Sequence, residues 1–530
     1  MEIKKEILKI CMQKGFLLDK EMLEIFSELD ESVAGKIVEG LGGLGIGERV
    51  ITKDVFSENI EKIKGILIGE NKAVIEKFFV NVGYSKVEIG NVEEVEQEVE
   101  DIKIISAPMI VPRKVEVKDF IQHFRGRYEQ ISKILQGRDL ENLTSIRRIG
   151  DKRESFTIIG AVLNKRITKN KNLFLDVEDL TGVARVLINQ NKKELFEKAK
   201  DLLVDDIVAF NVAGNSEILF ANDVIFPDSF LQEKKKGKKD EWVAFCSDLH
   251  IGSKMFLEDN FLKFVKWLNG EEGDEKQREI AKKVKYVLIT GDSVDGVGIF
   301  PEQDKLLNLK DFNEQYNKLI EILKLIRKDV KIIICPGQHD AVWVGEPQPI
   351  IGEKYASGLY ELENVVLVPN PSLIEIQGFK ILMYHGASMH GIIEGIQDIR
   401  VNHGHNSPTR VVKEMLKRRH LAPMHGSVDY VPCEKDYLVI SQIPDIVATG
   451  DQHRAEVSMY NNILLVASSC WQSITPFEEK VGNNPDPCKV PLFNFKTREI
   501  KILDFSDEVE EQGCEEKEEK IVCEVKDGGA

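Results

Sequence analysis

The chain has no apolar run approaching the roughly 18–20 residues that a helix needs to cross a bilayer. Its opening stretch, MEIKKEILKI (1–10), reads as the start of an amphipathic helix and lacks the continuous apolar segment of a secretory signal. No membrane partner is expected, and the cytoplasm is the expected compartment. Cysteine is sparse and unpatterned: the eight thiols (11, 246, 335, 433, 470, 488, 514, 523) include no CxxC pair. That spacing argues against a zinc ribbon or a disulfide framework. Cys246 and Cys335 lie inside apolar runs and are expected to be small buried hydrophobes. Positive charge is also in deficit. A formal net charge of −17 argues against a large cationic face that grips nucleic-acid backbone unaided. It does not exclude phosphodiester chemistry, because bound divalent cations supply positive charge locally and a partner subunit can hold the polymer.

What is present is ample apolar material. With 530 residues, 42% hydrophobic and 30% charged, the chain is long enough for three or four domains, each with its own core. Residues 1–70 carry apolar residues at spacings of three and four, as in LDKEMLEIFSELD (18–30) and ENIEKIKGIL (58–67). They predict a small helical domain, either a partner-docking module or a structural cap. Residues 71–118, with NVEEVEQEVEDI (91–102), read as an acidic linker. A helical joint follows over 119–152, locally basic through Arg125, Arg127, Arg147 and Arg148. Solvated surface is the default reading of those arginines, and a DNA or partner contact the other.

Over 153–228 the period changes to that of strands. Five runs with one helix, KKELFEKAKDLL (192–203), between the third and fourth follow the order of an OB-fold barrel. Lys165, Arg166, Lys169 and Lys171 offer charge to a single strand, but exposed aromatics are few, so a packing role fits equally well. Residues 229–240 form a charged linker. From 241 to 505 near-continuous apolar runs alternate with amphipathic segments, the pattern of strands buried on both faces and covered by helices. Residues 506–530 are acidic and expected to be disordered.

Five polar motifs each follow one apolar run: SDLHIG (247–252), GDSVDG (291–296), PGQHD (336–340), MYHGAS (383–388) and TGDQHR (449–454). Ligands in layered α/β folds gather at the carboxyl ends of strands, so five such motifs point to one metal centre. Mixed carboxylate and imidazole donors suit manganese, iron or zinc better than calcium. Two divalent cations about 3.5–4 Å apart neutralise phosphate charge and provide hydroxide near neutral pH.

These motifs resemble those of the calcineurin-like phosphoesterases over roughly 242–470. The resemblance implies a C-terminal α/β/β/α sandwich, making the whole chain a multidomain α/β plus β protein. It also implies that Asp248, His250, Asp292 and His453 hold a first metal, and that Asp292, Gln338, His385 and Asp451 hold a second. His339 would stabilise the transition state and protonate the leaving oxygen, with Asp340 orienting it. Two divalent ions are implied, manganese first, with magnesium, iron or zinc as the other candidates. Two positions depart from the pattern: Gln338 stands where asparagine is expected, and Asp451 where the first histidine of Gly-His-x-His is expected. Both fall on the second metal. His390, His403, His405, His420 and His425 match no position of the pattern and are read as surface or core hydrogen-bonding groups.

CPGQHDAVWVGEPQP (335–349), LKRRHLAPMHG (416–426), DYLVISQIPDIVATGDQH (436–453) and DFIQHFRGRYEQISKILQGRDLENLTSIRRI (119–149) are similar to the small-subunit family of archaeal family-D DNA polymerases, as is the domain order. That resemblance implies a large polymerizing subunit as partner, a DNA primer 3′ end as substrate, a sliding clamp as a further contact, and 3′–5′ exonuclease activity. The alternative it leaves open is a catalytically weak or inert scaffold.

Overall fold

Alternation of apolar and polar residues over 154–225 has a direct structural result. The strands Glu154–Ile167, Leu173–Asp179, Gly182–Ile188, Leu219–Ile225 and Ile207–Gly214 hydrogen-bond in that order and close into a barrel. All pairings are antiparallel except that of Gly182–Ile188 with Leu219–Ile225. Ile158, Val162, Leu175, Val177, Val186, Phe210 and Val212 fill its interior, and the helix Lys193–Lys200 lies between the third and fourth strands in sequence. The computed structural model describes residues 102–108, 114–481 and 483–507, with Leu17–Leu18, Phe26, Val50–Ile51 and Gln97–Val99 before them. The helical domain expected over 1–70 and the tail beyond 507 therefore lie almost wholly outside the described residues. Residues 1–91 and 92–530 are separate units; in the first, Leu17–Leu18 pairs in parallel with Val50–Ile51.

Beyond the barrel, two sheets stack. One runs Val365–Leu367, Lys331–Cys335, Val284–Thr290, Trp242–Cys246, Lys489–Asn494, Ile500–Asp504; the other runs Glu456–Tyr460, Ile463–Ala467, Ile446–Thr449, Phe379–Met383, Ser372–Ile376, Ile102–Ser106, Gln97–Val99. Between them Val243, Phe245, Leu288, Ile333, Ile381, Met383 and Val466 form one core. Phe261, Phe264, Trp267, Tyr316 and Leu319, from the helices Glu258–Leu268 and Phe312–Leu323, cover one outer face. Ile392, Ile393, Val411, Val412 and Met415, from Met389–Gly395 and Pro408–Arg418, cover the other. The strands that bear the motifs are buried on both faces, which is why they read as unbroken apolar runs. Cys246 and Cys335 are free thiols within them.

Two expectations change. The stretch 97–106, assigned to the acidic linker, forms strands: Ile102–Ser106 pairs antiparallel with Ser372–Ile376 and extends the second sheet. Its alternating Ile102 and Ile104 face the intersheet core, a short signal masked by the acidic residues around it. Arg127, read as solvated surface or a DNA contact, is buried. From the helix Val117–Gln136 its Nε donates to Asp436 Oδ2 at 2.6 Å, where His420 Nε2 also bonds at 2.9 Å. The helix comes so close to the 434 loop that a Cβ on Gly126 would lie 1.9 Å from the Glu434 carbonyl. The barrel is pinned in a similar way: Arg418 Nε meets Asp206 Oδ1 at 2.8 Å. The charged linker also makes a fixed contact, Lys235 Nζ to Asp445 Oδ2 at 2.8 Å.

Candidate metal centre

Strand direction assembles the site. Trp242–Cys246, Val284–Thr290 and Lys331–Cys335 are adjacent and parallel, so the loops bearing Asp248 and His250, Asp292, and Gln338 to Asp340 emerge at one edge. Phe379–Met383 and Ile446–Thr449 are likewise parallel neighbours and deliver His385, Asp451 and His453. Asp248, His250, Asp292, Asp451 and His453 all have positive φ, between 49° and 65°. Left-handed backbone is uncommon outside glycine and collects where function over-determines geometry. The turns are also closely packed: a Cβ on Gly337 would lie 2.2 Å from Asp292 Oδ1 and 2.8 Å from His385 Nε2, and one on Gly450 would lie 1.9 Å from Ser247 Oγ.

The donor atoms converge. Ligand atoms of Asp248, His250 and His453, of His250, Asp292 and His339, and of Asp248, Asp292 and His385 each lie within 4.8 Å of one another. Every imidazole in the set has its Nδ1 engaged: His250 with Asp295 Oδ1 (3.1 Å), His453 with Glu478 Oε1 (2.8 Å), His385 with the Thr290 carbonyl (2.9 Å) and His339 with the Asp295 carbonyl (2.7 Å). Each Nδ1–H donates outward, which leaves Nε2 as the nitrogen that faces the other donors and takes either a proton or an ion. His250 Nε2 and His453 Nε2 face each other at 3.2 Å, an arrangement two neutral acceptors adopt only around a shared cation or proton. Asp248 Oδ1 lies 3.4 Å from His453 Nε2, and both Asp248 Oδ1 and His385 Nε2 are buried without an aligned hydrogen bond. Orphaned buried donors of this kind fit a divalent cation.

The electrostatics agree. Burial opposes ionisation of Asp292, yet the His385 and His339 imidazoles hold its carboxyl well below the usual carboxylate range. Burial likewise opposes charge on His385, and the Asp292 carboxylate raises it well above an ordinary imidazole. The Asp292 carboxylate is thus ionised at neutral pH, the state in which it can serve as a ligand. Behind His385, Glu346 accepts from Tyr384 Oη at 2.9 Å, and burial pushes its carboxyl up to about 8.

Some roles differ from expectation. Asp340 does not orient His339; it accepts from the backbone N–H of Ser293 (3.2 Å) and Gly337 (2.9 Å) and from Tyr316 Oη (3.0 Å), so it braces the turn. Orientation of the His339 ring falls to the Asp295 carbonyl. Gln338 is half-buried on the same turn and forms no hydrogen bond with the other candidate ligands. Asp451 Oδ1 is 4.0 Å from His385 Nε2. Asp295 and Glu478 were not among the expected site residues, although Asp295 stands inside GDSVDG, while His390 and His405, expected as surface or core hydrogen-bonding groups, stand beside Asp451 and Gln452. His390 Nε2 is 3.6 Å from Asp451 Oδ2, and His405 Nδ1 donates to Gln452 Oε1 at 2.8 Å.

The fold and its donor set define a mixed α/β protein with a candidate metal centre at the strand ends of stacked sheets. A sequence profile for the family of DNA polymerase alpha/epsilon B subunits matches residues 243–458. The DNA polymerase II small subunit of Methanothermobacter thermautotrophicus is 36% identical over 394 residues, covering 74% of this chain and 80% of that protein. That of Archaeoglobus fulgidus is 34% identical, covering 84% and 92%, and that of Pyrococcus furiosus is 32% identical, covering 90% and 84%. The chain belongs to the family of archaeal DNA polymerase II small subunits, which bears out the resemblance carried by 335–349, 416–426 and 436–453. Among solved structures it is similar to a novel archaeal phosphodiesterase, at a TM-score of 0.26 and 15% identity, over 49% of this chain and 98% of that one. It is also similar to vacuolar protein sorting 29 from Cryptosporidium parvum, at a TM-score of 0.24 and 16% identity, over 50% and 89%. Likenesses this remote carry no functional argument.

Proposed function

We propose that this chain provides metal-dependent 3′–5′ exonuclease proofreading to a family-D DNA polymerase and scaffolds its large subunit. On this reading the stacked sheets are a calcineurin-like phosphoesterase sandwich and the barrel is an OB-fold. The partners are the large polymerizing subunit, a primer 3′ end and a sliding clamp, and the compartment is the cytoplasm. The observation that carries the reading is the convergence of imidazole Nε2 and carboxylate oxygens whose outward nitrogens are already engaged.

Asp248, His250, Asp292 and His453 would hold one divalent ion, and Asp292, Gln338, His385 and Asp451 the other, with manganese favoured by the donor set. When bound, two such ions neutralise phosphate charge and lower the pKa of water. The chain's own contribution is positional and acid–base. Asp295 and Glu478 fix the faces of His250 and His453. His339, with Nδ1–H held by the Asp295 carbonyl, can carry a second proton on Nε2 and pass it to the leaving 3′ oxygen, releasing the terminal nucleotide as a 5′-monophosphate. With manganese and the large subunit present, the complex is expected to trim mismatched 3′ ends, and D292A or H339A to lower that rate at least a hundredfold. Equal trimming by wild type and both variants would refute the assignment. Asp451, an oxygen donor in place of an imidazole, favours a second reading, a weakly active scaffold; trimming no faster than that of the variants is its signature.

A further inference from the structure

We propose that His390 is a ligand of the second metal position, supplying an imidazole to the side of the centre that Asp451 leaves poor in nitrogen. This inference rests on the two-metal reading of the site. On the first side two imidazoles, His250 and His453, meet the carboxylate of Asp248. On the second side, His385 is the one imidazole between Asp292 and Asp451.

His390 stands at the open end of that row. Asp292 Oδ2 is 3.2 Å from His385 Nε2, His385 Nε2 is 4.0 Å from Asp451 Oδ1, and Asp451 Oδ2 is 3.6 Å from His390 Nε2. Ligand bonds of about 2.0–2.2 Å place neighbouring donors of one ion roughly 3–3.5 Å apart. The observed spacings are neighbour-to-neighbour distances along a row: the donors that already lie within 4.8 Å of one another on this side are those of Asp248, Asp292 and His385, so an ion there would draw Asp451 and His390 inward. At 3.6 Å the His390–Asp451 contact is too long for a hydrogen bond, and among the described residues it is the polar contact His390 makes. The imidazole is 59% exposed, so its nitrogen is free to turn toward an ion.

Its neighbours are fixed. The helix Met389–Gly395 buries Met389, Ile392 and Ile393 in the outer core, which presents His390 from an anchored element. Asp451 Oδ2 accepts from Gln452 Nε2 at 2.6 Å, and Gln452 Oε1 accepts from His405 Nδ1 at 2.8 Å. The His405 ring lies 4.8 Å from that of His390. His405 is thus a positioning residue for Asp451, and His390 the donor beside it.

Manganese titration of the full-length chain, followed by electron paramagnetic resonance of free and exchange-coupled ions, tests the assignment without relying on turnover. Wild type is expected to bind two coupled ions. H390A and H390N, both at an exposed position and checked by thermal midpoint, are expected to hold the first ion unchanged and the second at least tenfold more weakly, with loss of the coupled signal. Two coupled ions of unchanged affinity in either folded variant would overturn the role of His390 and leave the two-metal reading intact. Fewer than two ions in wild type would overturn both.

Discussion

Asp295 shows how much of the centre depends on residues that are not themselves ligands. Its carboxylate holds His250 Nδ1, accepts from Gln303 Nε2 at 3.0 Å and from Gln472 Nε2 at 3.2 Å, and its carbonyl holds His339. One residue therefore sets the tautomer of two histidines. D295N keeps the shape but removes the anion, and should weaken binding of the first manganese ion about 10–100-fold with little change in thermal midpoint. Unchanged affinity by titration would contradict that role. The candidate ligands themselves were legible because each ends an apolar run in a compact motif. Their supports were not: Asp295 is visible as an acid, but its link to His250 spans 45 residues, and Glu478 reaches His453 from the short helix Pro476–Val481, which carries none of the five motifs. Asp340 was misread because adjacency to His339 in sequence does not give adjacency of side chains.

At the scale of elements, the helix Val117–Gln136 is held by a buried charge cluster. Asp436 carries one negative charge for Arg127, His123 and His420, and its carboxyl stays well below the ordinary range despite burial, chiefly because of Arg127. Burial and then the Arg127 cation lower His420 to about 4, so this histidine is neutral in the folded protein. The unfolded chain, with an ordinary histidine near 6.5, takes up that proton between roughly pH 6.5 and 4 while the folded chain does not. Stability is therefore present above that window and falls as pH drops through it, by on the order of 3 kcal/mol. Thermal midpoints recorded from pH 7 to 4 should decline less in H420Q than in wild type; parallel curves would contradict the assignment. D436A strands Arg127 in the interior and should cost on the order of 3–5 kcal/mol in chemical denaturation. The helix was legible from its period. The burial of Arg127 was not, because its partner lies 309 residues away.

Across the whole molecule, the apolar alternation that made the barrel strands legible also shows where reading by pattern stops. Ile102–Ser106 joins the second sheet through residues far along the chain, and no local period records that pairing. The same distance separates the charge pattern from a DNA path. With a net charge of −17, the isolated chain should hold duplex DNA far more weakly at physiological salt than its complex with the large subunit does; equal affinity by fluorescence anisotropy would contradict that division of labour. The central claim is that the strand-end donors form a two-metal centre. Anomalous diffraction at the manganese edge, from manganese-soaked crystals of the chain, tests it most directly. Two peaks about 3.5–4 Å apart, one among Asp248, His250, Asp292 and His453 and one among Asp292, His385 and Asp451, are predicted. Crystals with no manganese at those residues would contradict the account.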